Sequence, residues 1–216
     1  MAKPRTLHDE FFLKAKAEGY AARSAYKLLE IQERKRLLRR GNAVLDLGCA
    51  PGSWLQVAAE LVGDDGVVVG IDLTPVTIDL PENVTTLVGD AFKSDASVLL
   101  LGDESRRFDV VMSDMAPNTS GHGDDFLSAR LCERVLDLCP SVLRPGGKLV
   151  MKILEGEPTP DVIKRTKTMF KEAGTTKPKA SRDVSREIFI WGIAYEPAGV
   201  IPFKRPGPSK SRGKER

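Results

Sequence analysis

Cysteine and long apolar runs are scarce in this chain of 216 residues. The three cysteines, Cys49, Cys132 and Cys139, have neither the spacing of a metal site nor that of a disulfide framework, so we expect reduced thiols and no bound metal. No apolar stretch approaches the ~20 residues of a membrane-spanning helix, and the first residues lack the apolar segment of a signal peptide. The sequence therefore predicts a cytoplasmic protein without a membrane partner.

A second absence concerns dinucleotide cofactors. The apolar run 44–47 contains Asp46 and leads into a turn with only Gly48 and Gly52, whereas a nicotinamide or flavin site favours G-x-G-x-x-G. An acid so close to the turn would repel a pyrophosphate, but it suits a ligand with a cationic or hydroxyl-rich end. S-adenosylmethionine carries a sulfonium, an ammonium and a ribose diol and meets that description. A β–α turn that binds no ligand is the alternative.

The two ends of the chain are basic. Residues 1–40 hold eleven Lys or Arg against five Asp or Glu, and residues 201–216 hold six against one, although the net charge of the whole chain is only +3. Basic ends around an acidic body are typical of a cofactor domain flanked by elements that contact polyanions; solubilising charge is the alternative. We predict a basic helical extension over 1–40, a cofactor-binding domain over 41–197 and a disordered basic tail over 198–216.

Hydrophobic periodicity predicts strands that alternate with helices, which indicates an α/β fold. The predicted strands cover 43–47, 67–71, 84–88, 108–112, 148–154, 175–179 and 187–194. The predicted helices cover 8–18, 23–38, 53–62, 93–101, 124–142 and 160–173. Gly174 is expected to end the last helix, and residues 144–147 are expected to form a turn.

Charged residues at the ends of the predicted strands indicate a binding crevice. Asp46, Asp72 and Asp90 lie at the ends of three successive strands, and the carboxyl ends of parallel strands meet at one edge of a sheet. Asp72 follows the glycine turn by about 20 residues, where an acid that binds ribose hydroxyls is expected. Lys152 lies inside an apolar strand, which is costly unless a carboxylate meets it. Asp114, at the end of the neighbouring strand, is the expected partner.

Five segments of the chain have motifs of a known family. They are Arg23-Ser24-Ala25-Tyr26-Lys27-Leu28, Asp46-Leu47-Gly48-Cys49-Ala50-Pro51-Gly52-Ser53-Trp54, Ser113-Asp114-Met115-Ala116-Pro117-Asn118, Pro145-Gly146-Gly147-Lys148-Leu149-Val150-Met151-Lys152, and Ser181-Arg182 with Ser185-Arg186-Glu187. In this order they resemble the FtsJ/RrmJ family of S-adenosylmethionine-dependent RNA 2′-O-methyltransferases, over roughly residues 8–195. Cys49 departs from the small residue that is usual in this family.

The resemblance implies a fold, a cofactor and a set of site residues. The fold would be a Rossmann-like class I methyltransferase with a seven-stranded, mostly parallel sheet, an antiparallel last strand and helices on both faces. The catalytic set would be Lys27, Asp114, Lys152 and Glu187, with Lys152 meeting the hydroxyl either as proton acceptor or as a charge that orients a lone pair. S-adenosylmethionine would contact Asp46, Gly48, Cys49, Ala50, Pro51, Gly52, Ser53, Trp54, Asp72, Leu73, Asp90, Ala91 and Asp114.

The resemblance also implies an RNA substrate. Bacterial members modify a uridine ribose in the peptidyl-transferase region of large-subunit ribosomal RNA, so we expect that RNA, within the large subunit, as the partner of a monomeric enzyme. RNA contacts are predicted from Arg23, Arg34, Lys35, Arg36, Arg182 and Arg186.

Three alternatives to this function stay open. They are a tRNA anticodon-loop 2′-O-methyltransferase, a small-molecule methyltransferase and a non-catalytic RNA-binding module. Residues 12–20 resemble the tRNA-directed branch of the family as well as the bacterial one, whereas residues 113–118 lean toward the ribosomal branch. The complete Lys-Asp-Lys-Glu set disfavours the non-catalytic module, and the basic ends disfavour a small-molecule enzyme.

Overall fold

Helices and strands alternate along most of the chain, and the strands form one sheet. The computed structural model describes residues 10–103, 105–117, 123–182 and 185–197. The helices are α1 (Glu10–Glu18), α2 (Ala25–Lys35), α3 (Ser53–Val62), α4 (Ala96–Leu99), α5 (Asp124–Val142) and α6 (Thr159–Met169). The strands are β1 (Ala43–Leu47), β2 (Val67–Asp72), β3 (Val84–Val88), β4 (Phe108–Ser113), β5 (Leu143–Leu154), β6 (Phe170–Thr176) and β7 (Glu187–Tyr195).

The order of strands across the sheet is β3-β2-β1-β4-β5-β7-β6. Strands β1 to β5 pair in parallel, whereas β7 runs antiparallel to both of its neighbours. The order reverses between β1 and β4, and such a reversal opens a crevice at the carboxyl ends of the strands. The predicted α/β class, with a seven-stranded, mostly parallel sheet and an antiparallel last strand, is confirmed.

Apolar layers cover both faces of the sheet because side chains along a strand alternate in direction. Val44 of β1 packs in a layer with Leu28 of α2 and the apolar residues of α3, whereas Leu45 packs in a layer with Val135 of α5 and Val162 of α6. Helix α2 thus shares a core with β1. The predicted domain boundaries after residues 40 and 197 stay predictions, and the tail 198–216 lies outside the described residues.

The end of the helix predicted over 160–173 is wrong. Helix α6 stops at Met169, and the sixth strand begins directly afterwards and pairs with β7. Gly174 therefore lies within β6 and does not end a helix. Lys171 and Glu172 are good helix formers, so local propensity favours a helix here, while pairing with β7 at the edge of the sheet stabilises a strand.

Strand β5 begins earlier than predicted, at Leu143. The turn expected over 144–147 is instead part of this strand, whose pairing with β4 shifts in register between Phe108 and Val110. Gly146 lies within this irregular part of the strand and has a left-handed backbone (φ +76°). Glycine is the residue that adopts this conformation most easily at a β-bulge.

Two predicted helices are shorter in the structure. The helix predicted over 93–101 is reduced to α4. The helix predicted over 23–38 is α2, which ends at Lys35 because Arg36 has a left-handed backbone (φ 48°) and donates its N–H to the Gln32 carbonyl. Within the part of the chain that the structure describes, no helix combines the length and the apolar character of a membrane span.

Candidate active site

The side chain of Asp46 lies in β1, beside the point where the strand order reverses. It is fully buried, and among the described residues neither carboxyl oxygen has a hydrogen-bond partner. Burial raises the pKa of Asp46, and the negative charges of Asp114 and Asp72 raise it further. An unsatisfied buried polar group costs about 1–3 kcal/mol. The arrangement therefore fits a ligand that brings a cation or a hydrogen-bond donor, such as the ammonium group of S-adenosylmethionine.

The turn after β1 packs against neighbouring loops too closely for side chains at two positions. Gly48 (φ +79°) and Gly52 (φ +112°) have left-handed backbones. A Cβ on Gly48 would lie 2.3 Å from Met115 Cγ, and one on Gly52 would lie 2.8 Å from Ile78 Cδ1. The peptide bond between residues 50 and 51 is cis. The absence of side chains at these two positions therefore lets Met115 and Ile78 pack directly on the backbone of the turn.

Asp72 and Asp90 follow the ends of β2 and β3 on the same edge. Asp72 Oδ2 accepts a hydrogen bond from Ala50 N at 3.0 Å, and Asp72 Oδ1 accepts one from Thr74 N at 2.8 Å. Asp90 Oδ1 accepts a hydrogen bond from Phe92 N at 2.9 Å. Each carboxylate oxygen has two lone pairs, so both acids can still accept hydrogen bonds from ribose hydroxyls or an amino group.

The other predicted cofactor residues differ in exposure. Leu73 is 73% exposed at the rim of the crevice. Four of them are buried: Ala91, Cys49, Ser53 and Trp54. A ligand could contact these residues mainly through their backbone atoms. Their assignment to the cofactor site stays a prediction.

Two ion pairs bring together the four predicted catalytic side chains. Lys27 Nζ lies 2.6 Å from Glu187 Oε1, and Lys152 Nζ lies 3.0 Å from Asp114 Oδ1. Lys152 also donates a hydrogen bond to the backbone carbonyl of Asp114 at 2.6 Å. The predicted pairing of Lys152 with Asp114 is confirmed, and both lysine side chains are only 9% exposed.

The register of β5 and β7 explains why these groups meet. Lys152 pairs with Phe189, and Leu154 pairs with Glu187. Alternate residues of a strand share a face, so Lys152, Phe189 and Glu187 point to the same side of the sheet. Lys27 approaches from α2, with its Nζ 5.8 Å from the centre of the Phe189 ring. The two lysines and two carboxylates therefore share one cleft at the carboxyl end of β5.

Glu187 is ionised in this cleft. Burial by itself would raise the pKa of Glu187, but the charge of Lys27, its hydrogen bond and the charge of Lys152 outweigh that effect and lower the pKa below its ordinary value. Glu187 therefore responds to both lysines, and the hydroxyl of Ser181 lowers its pKa further.

The residues of this crevice match a known family. The FtsJ-like methyltransferase model matches residues 20–195, a range that contains the glycine turn and both ion pairs. The chain belongs to the FtsJ-like methyltransferase family. A protein of Syntrophobacter fumaroxidans named ribosomal RNA large subunit methyltransferase E is 47% identical over 190 residues, which cover 87% of this chain and 96% of that protein. A Psychrobacter protein of the same name is 46% identical over 187 residues, covering 85% and 88% of the two chains.

Solved structures share the architecture of this FtsJ-like methyltransferase. A Plasmodium falciparum protein described as a ribosomal RNA methyltransferase has a TM-score of 0.72 at 28% identity and covers 82% of this chain and 98% of its own. Aeropyrum pernix fibrillarin, crystallised with S-adenosyl-L-methionine, has a TM-score of 0.58 at 18% identity, and the match covers 79% of this chain and 73% of fibrillarin. The second likeness shows the fold alone. The predicted family and the Rossmann-like methyltransferase fold are confirmed.

In this FtsJ-like methyltransferase, helix α3 holds the segment that carries Lys27. Trp54 Nε1 donates a hydrogen bond to the Ser24 carbonyl at 2.9 Å, and the hydroxyl oxygens of Ser24 and Ser53 lie 2.7 Å apart. The Trp54 ring also packs on Phe189, with 5.8 Å between ring centres. Because Ser24 is one helical turn before Lys27, the helix that begins at the glycine turn also positions a lysine that is predicted to be catalytic.

The predicted RNA contacts lie in two places. Near the cleft, Arg23 donates a hydrogen bond to the Ala180 carbonyl at 2.9 Å, and burial, followed by the charge of Arg182, lowers the pKa of Arg23. Arg186 immediately precedes Glu187, and its carbonyl accepts a hydrogen bond from Glu155 N at 2.8 Å. These three arginines therefore border the catalytic cleft.

The other predicted RNA contacts lie at the opposite end of α2. Arg34 forms an ion pair with Glu30, and Lys35 Nζ lies 3.7 Å from the centre of the Trp191 ring. Arg36 is exposed at the point where α2 ends. The structure thus does not bring these three residues to the cleft.

Three residues of the site were assigned no role from the sequence. Met115 and Ile78 pack against the glycine turn from the loops that follow β4 and β2, and Ser24 accepts the Trp54 hydrogen bond. The available signal was topological, because loops at the carboxyl ends of neighbouring parallel strands face the same crevice.

The described cysteines are free, buried thiols. Burial raises the pKa of Cys132 and of Cys139 to about 12, and it also raises the pKa of Cys49, so all three stay protonated near neutral pH. Over the described ranges, no group of three or more His, Cys, Asp or Glu side chains is arranged to hold a metal ion.

Proposed function

We propose that this protein transfers the methyl group of S-adenosylmethionine to a ribose 2′-hydroxyl of large-subunit ribosomal RNA, at a uridine in the peptidyl-transferase region. Membership of the FtsJ-like methyltransferase family supports methyl transfer, and the names of the two bacterial relatives support the RNA. The observation that carries the proposal is the cleft in which Lys27, Glu187, Lys152 and Asp114 meet beside the unpartnered carboxyl group of Asp46.

The acids of the crevice would hold the cofactor. Asp46 would receive its ammonium group, and Asp72 would accept hydrogen bonds from its ribose hydroxyls. Asp90 and the backbone around Gly48 and Gly52 would complete the site. When bound, S-adenosylmethionine supplies an activated methyl group on a sulfonium, and S-adenosylhomocysteine is the product. A positively charged ligand in turn relieves the repulsion among the three acids.

Lys152 is the group that meets the 2′-hydroxyl. As the ribose oxygen bonds to the methyl carbon and the carbon–sulfur bond breaks, the hydroxyl loses its proton. Lys152 either accepts that proton as a neutral amine, or stays an ammonium and donates a hydrogen bond that directs an oxygen lone pair toward the methyl carbon while the proton passes to solvent. Alignment of the reacting atoms can lower a barrier by about 7–11 kcal/mol. Asp114 makes this alignment possible because it holds the Lys152 ammonium through its carboxylate and its backbone carbonyl.

Lys27 and Glu187 form the other side of the cleft. Both side chains of this ion pair are largely buried. Solvent therefore screens the attraction between their charges only weakly. This pair would orient the ribose and stabilise the charge that develops on its oxygen. Arg23, Arg182 and Arg186 border the cleft and would contact the RNA backbone. The protein would act as a cytoplasmic monomer on the large ribosomal subunit.

Transfer of a labelled methyl group tests the proposed function. The purified protein is incubated with labelled S-adenosylmethionine and either unmodified large ribosomal subunits or bulk unmodified tRNA. We expect label in the ribosomal RNA at a single position that resists alkaline hydrolysis, because 2′-O-methylation removes the nucleophile of that hydrolysis. The matched control is Lys152→Ala. Label that enters tRNA and not ribosomal RNA would contradict the proposed substrate, and label in an alkali-sensitive position would contradict ribose methylation.

A further inference from the structure

A group of cations lies at the amino edge of the sheet, where the parallel strands begin. We call it the amino-edge cluster; its members are Arg36, Arg39, Arg40, Arg106, Arg107, Arg144 and Lys148. The first three lie between α2 and β1, the next two directly precede β4, and the last two lie in the first half of β5. Since β1, β4 and β5 are parallel neighbours, these separate segments start at one edge.

Contacts hold part of this cluster around a cavity. Arg39, Arg144 and Lys148 line a cavity of about 130 Å³ together with Asp109. Arg144 Nε donates a hydrogen bond to Asp109 Oδ1 at 2.5 Å. Lys148 Nζ donates to the carbonyl oxygens of residues 36 and 37, at 2.6 Å and 3.0 Å. Three cations therefore surround the cavity, and one acid lines it.

The positive charge at this cavity exceeds the negative charge that faces it. Burial lowers the pKa of Lys148, and the charges of Arg39 and Arg144 lower it further, while Asp109 opposes them only in part. Arg39 and Arg144 are exposed. Elsewhere on the surface the balance is different, since Arg165 contacts two acids, Glu133 and Asp137. The amino-edge cluster is thus arranged to receive an anion from outside the protein.

We propose that the amino-edge cluster binds phosphate groups of the RNA substrate and forms a second contact surface separate from the catalytic cleft. The proposal rests on the proposed function, because it takes the same RNA as ligand. Arginine suits phosphate oxygens through paired N–H donors, and contacts with phosphates position a nucleic acid without reading its sequence.

The geometry of β5 connects the two surfaces. Lys148 and Lys152 lie on the same face of β5, four residues apart, which corresponds to about 13 Å of extended chain. Lys27 and Arg36 lie at opposite ends of α2 on that side of the sheet. An RNA that occupies the cleft and the cluster together must therefore extend beyond the target nucleotide, and a fragment confined to the cleft cannot reach the cluster.

A pair of double variants tests this surface. Arg39→Gln with Arg144→Gln removes two cluster charges, and Lys164→Gln with Lys167→Gln removes two exposed charges from α6 as the matched control. The affinity of each protein for a large-subunit ribosomal RNA transcript is measured as a function of salt. We expect the cluster variant to bind about tenfold more weakly at low salt, and its log–log salt slope to fall by about 0.7–0.9 for each phosphate that the variant no longer binds.

Further measurements separate this effect from misfolding and from loss of catalysis. S-adenosylmethionine affinity and turnover at saturating RNA should stay within twofold of wild type. Binding of an oligonucleotide that fits the cleft alone should not change. Arg39→Lys with Arg144→Lys keeps the charges and should recover most of the affinity. If instead the lysine variant binds as weakly as the glutamine variant, charge is not the cause and the proposal is wrong.

Two results distinguish this proposal from the proposed function. If wild type methylates ribosomal RNA but the glutamine variant keeps its affinity and salt slope, the cluster proposal alone is wrong. If wild type does not methylate ribosomal RNA, the proposed function is wrong, and the binding measurement still decides the cluster. Unchanged affinity for protein-free RNA, with reduced methylation of intact subunits, would also overturn the proposal and indicate a protein of the subunit as the partner.

Discussion

The two edges of the sheet carry clusters of opposite charge, although the same strands connect them. At the carboxyl edge, Asp46, Asp72, Asp90 and Asp114 surround a crevice in which Asp46 has no partner. At the amino edge, the seven cations of the amino-edge cluster lie near the starts of the strands, and Asp109 lines the cavity among them. A crevice of acids suits a small cationic cofactor but repels RNA phosphates. The comparison indicates that the parallel strands separate a group of acids, beside the predicted cofactor site, from a group of cations at their other ends.

The largest expected effect is at the carboxyl edge, on turnover. Lys152→Ala removes the group that we propose meets the hydroxyl and should lower the rate of a single turnover by about 10²–10⁴-fold, the usual contribution of a positioned acid or base. A pH–rate profile of Lys152→Arg sharpens the result, because arginine orients a hydroxyl but does not accept its proton. Wild-type-like activity of Lys152→Arg would exclude the proton-acceptor role.

Asp114→Ala should separate catalysis from RNA binding. The variant loses the carboxylate that holds Lys152, so we expect turnover to fall by about 10²-fold or more, with little change in RNA affinity. Single-turnover kinetics measure the rate, and filter binding measures the affinity for RNA. Equal losses in rate and in RNA affinity would remove Asp114 from the reaction centre.

Breaking the Lys27–Glu187 pair should lower the stability of the fold. Lys27→Met leaves Glu187 buried without its cation, which should reduce the free energy of unfolding by about 3–5 kcal/mol. Lys27→Met combined with Glu187→Leu should recover much of this loss.

The stability contributed by Glu187 should also depend on pH. Because the folded-state pKa of Glu187 is below its ordinary value, its contribution to the free energy of unfolding is fully present above that ordinary value and is lost as pH falls through the folded-state pKa. Denaturant unfolding from neutral to acidic pH checks both points; a double variant as unstable as Lys27→Met would contradict the pairing.

Asp46→Asn should stabilise the free protein and weaken cofactor binding. The folded-state pKa of Asp46 is raised, so its ionisation opposes folding as pH rises. Removing that charge should increase the melting temperature by ~2–4 °C for each kcal/mol gained. Titration with S-adenosylmethionine should show at least about tenfold weaker binding, in line with the removal of a charged hydrogen bond. A lower melting temperature would contradict this prediction, because it would mean that the Asp46 carboxylate makes stabilising hydrogen bonds in the free protein.

The smallest expected effect concerns an arginine whose charge is already neutralised. Arg34 pairs with Glu30 on the surface of α2, and exposed pairs of this kind contribute only about 0.3–0.5 kcal/mol. Arg34→Gln should therefore weaken RNA binding less than Arg39→Gln does, at the same salt concentration. An equal or larger loss at Arg34 would mean that local pairing does not determine which arginines bind RNA.

The carboxyl edge could be predicted from the sequence because its signals are local. Asp46, Asp72 and Asp90 each lie next to the end of an apolar strand, and parallel strands bring such ends together. The pairing of Lys152 with Asp114 followed from the same argument. The pairing of Lys27 with Glu187 could not be predicted in this way. It depends on β7 lying beside β5, and no local sequence pattern encodes that neighbourhood.

The amino edge could not be predicted for a related reason. Its cations come from three segments, before β1, before β4 and in β5, and only the first stands out as a basic run. The boundary of β6 shows the same limit. Residues 171–173 favour a helix by propensity, and the strand forms because it pairs with the edge of β7.

Strand β6 has a further consequence as one of the two outermost strands of the sheet. An exposed strand offers unpaired backbone groups to other chains, and proteins limit that risk with short strands and charged side chains. Lys171 and Glu172, both exposed in the first half of β6, place charges where a second molecule would have to dock. The residues that make this strand hard to recognise therefore also protect the protein from sheet-to-sheet aggregation.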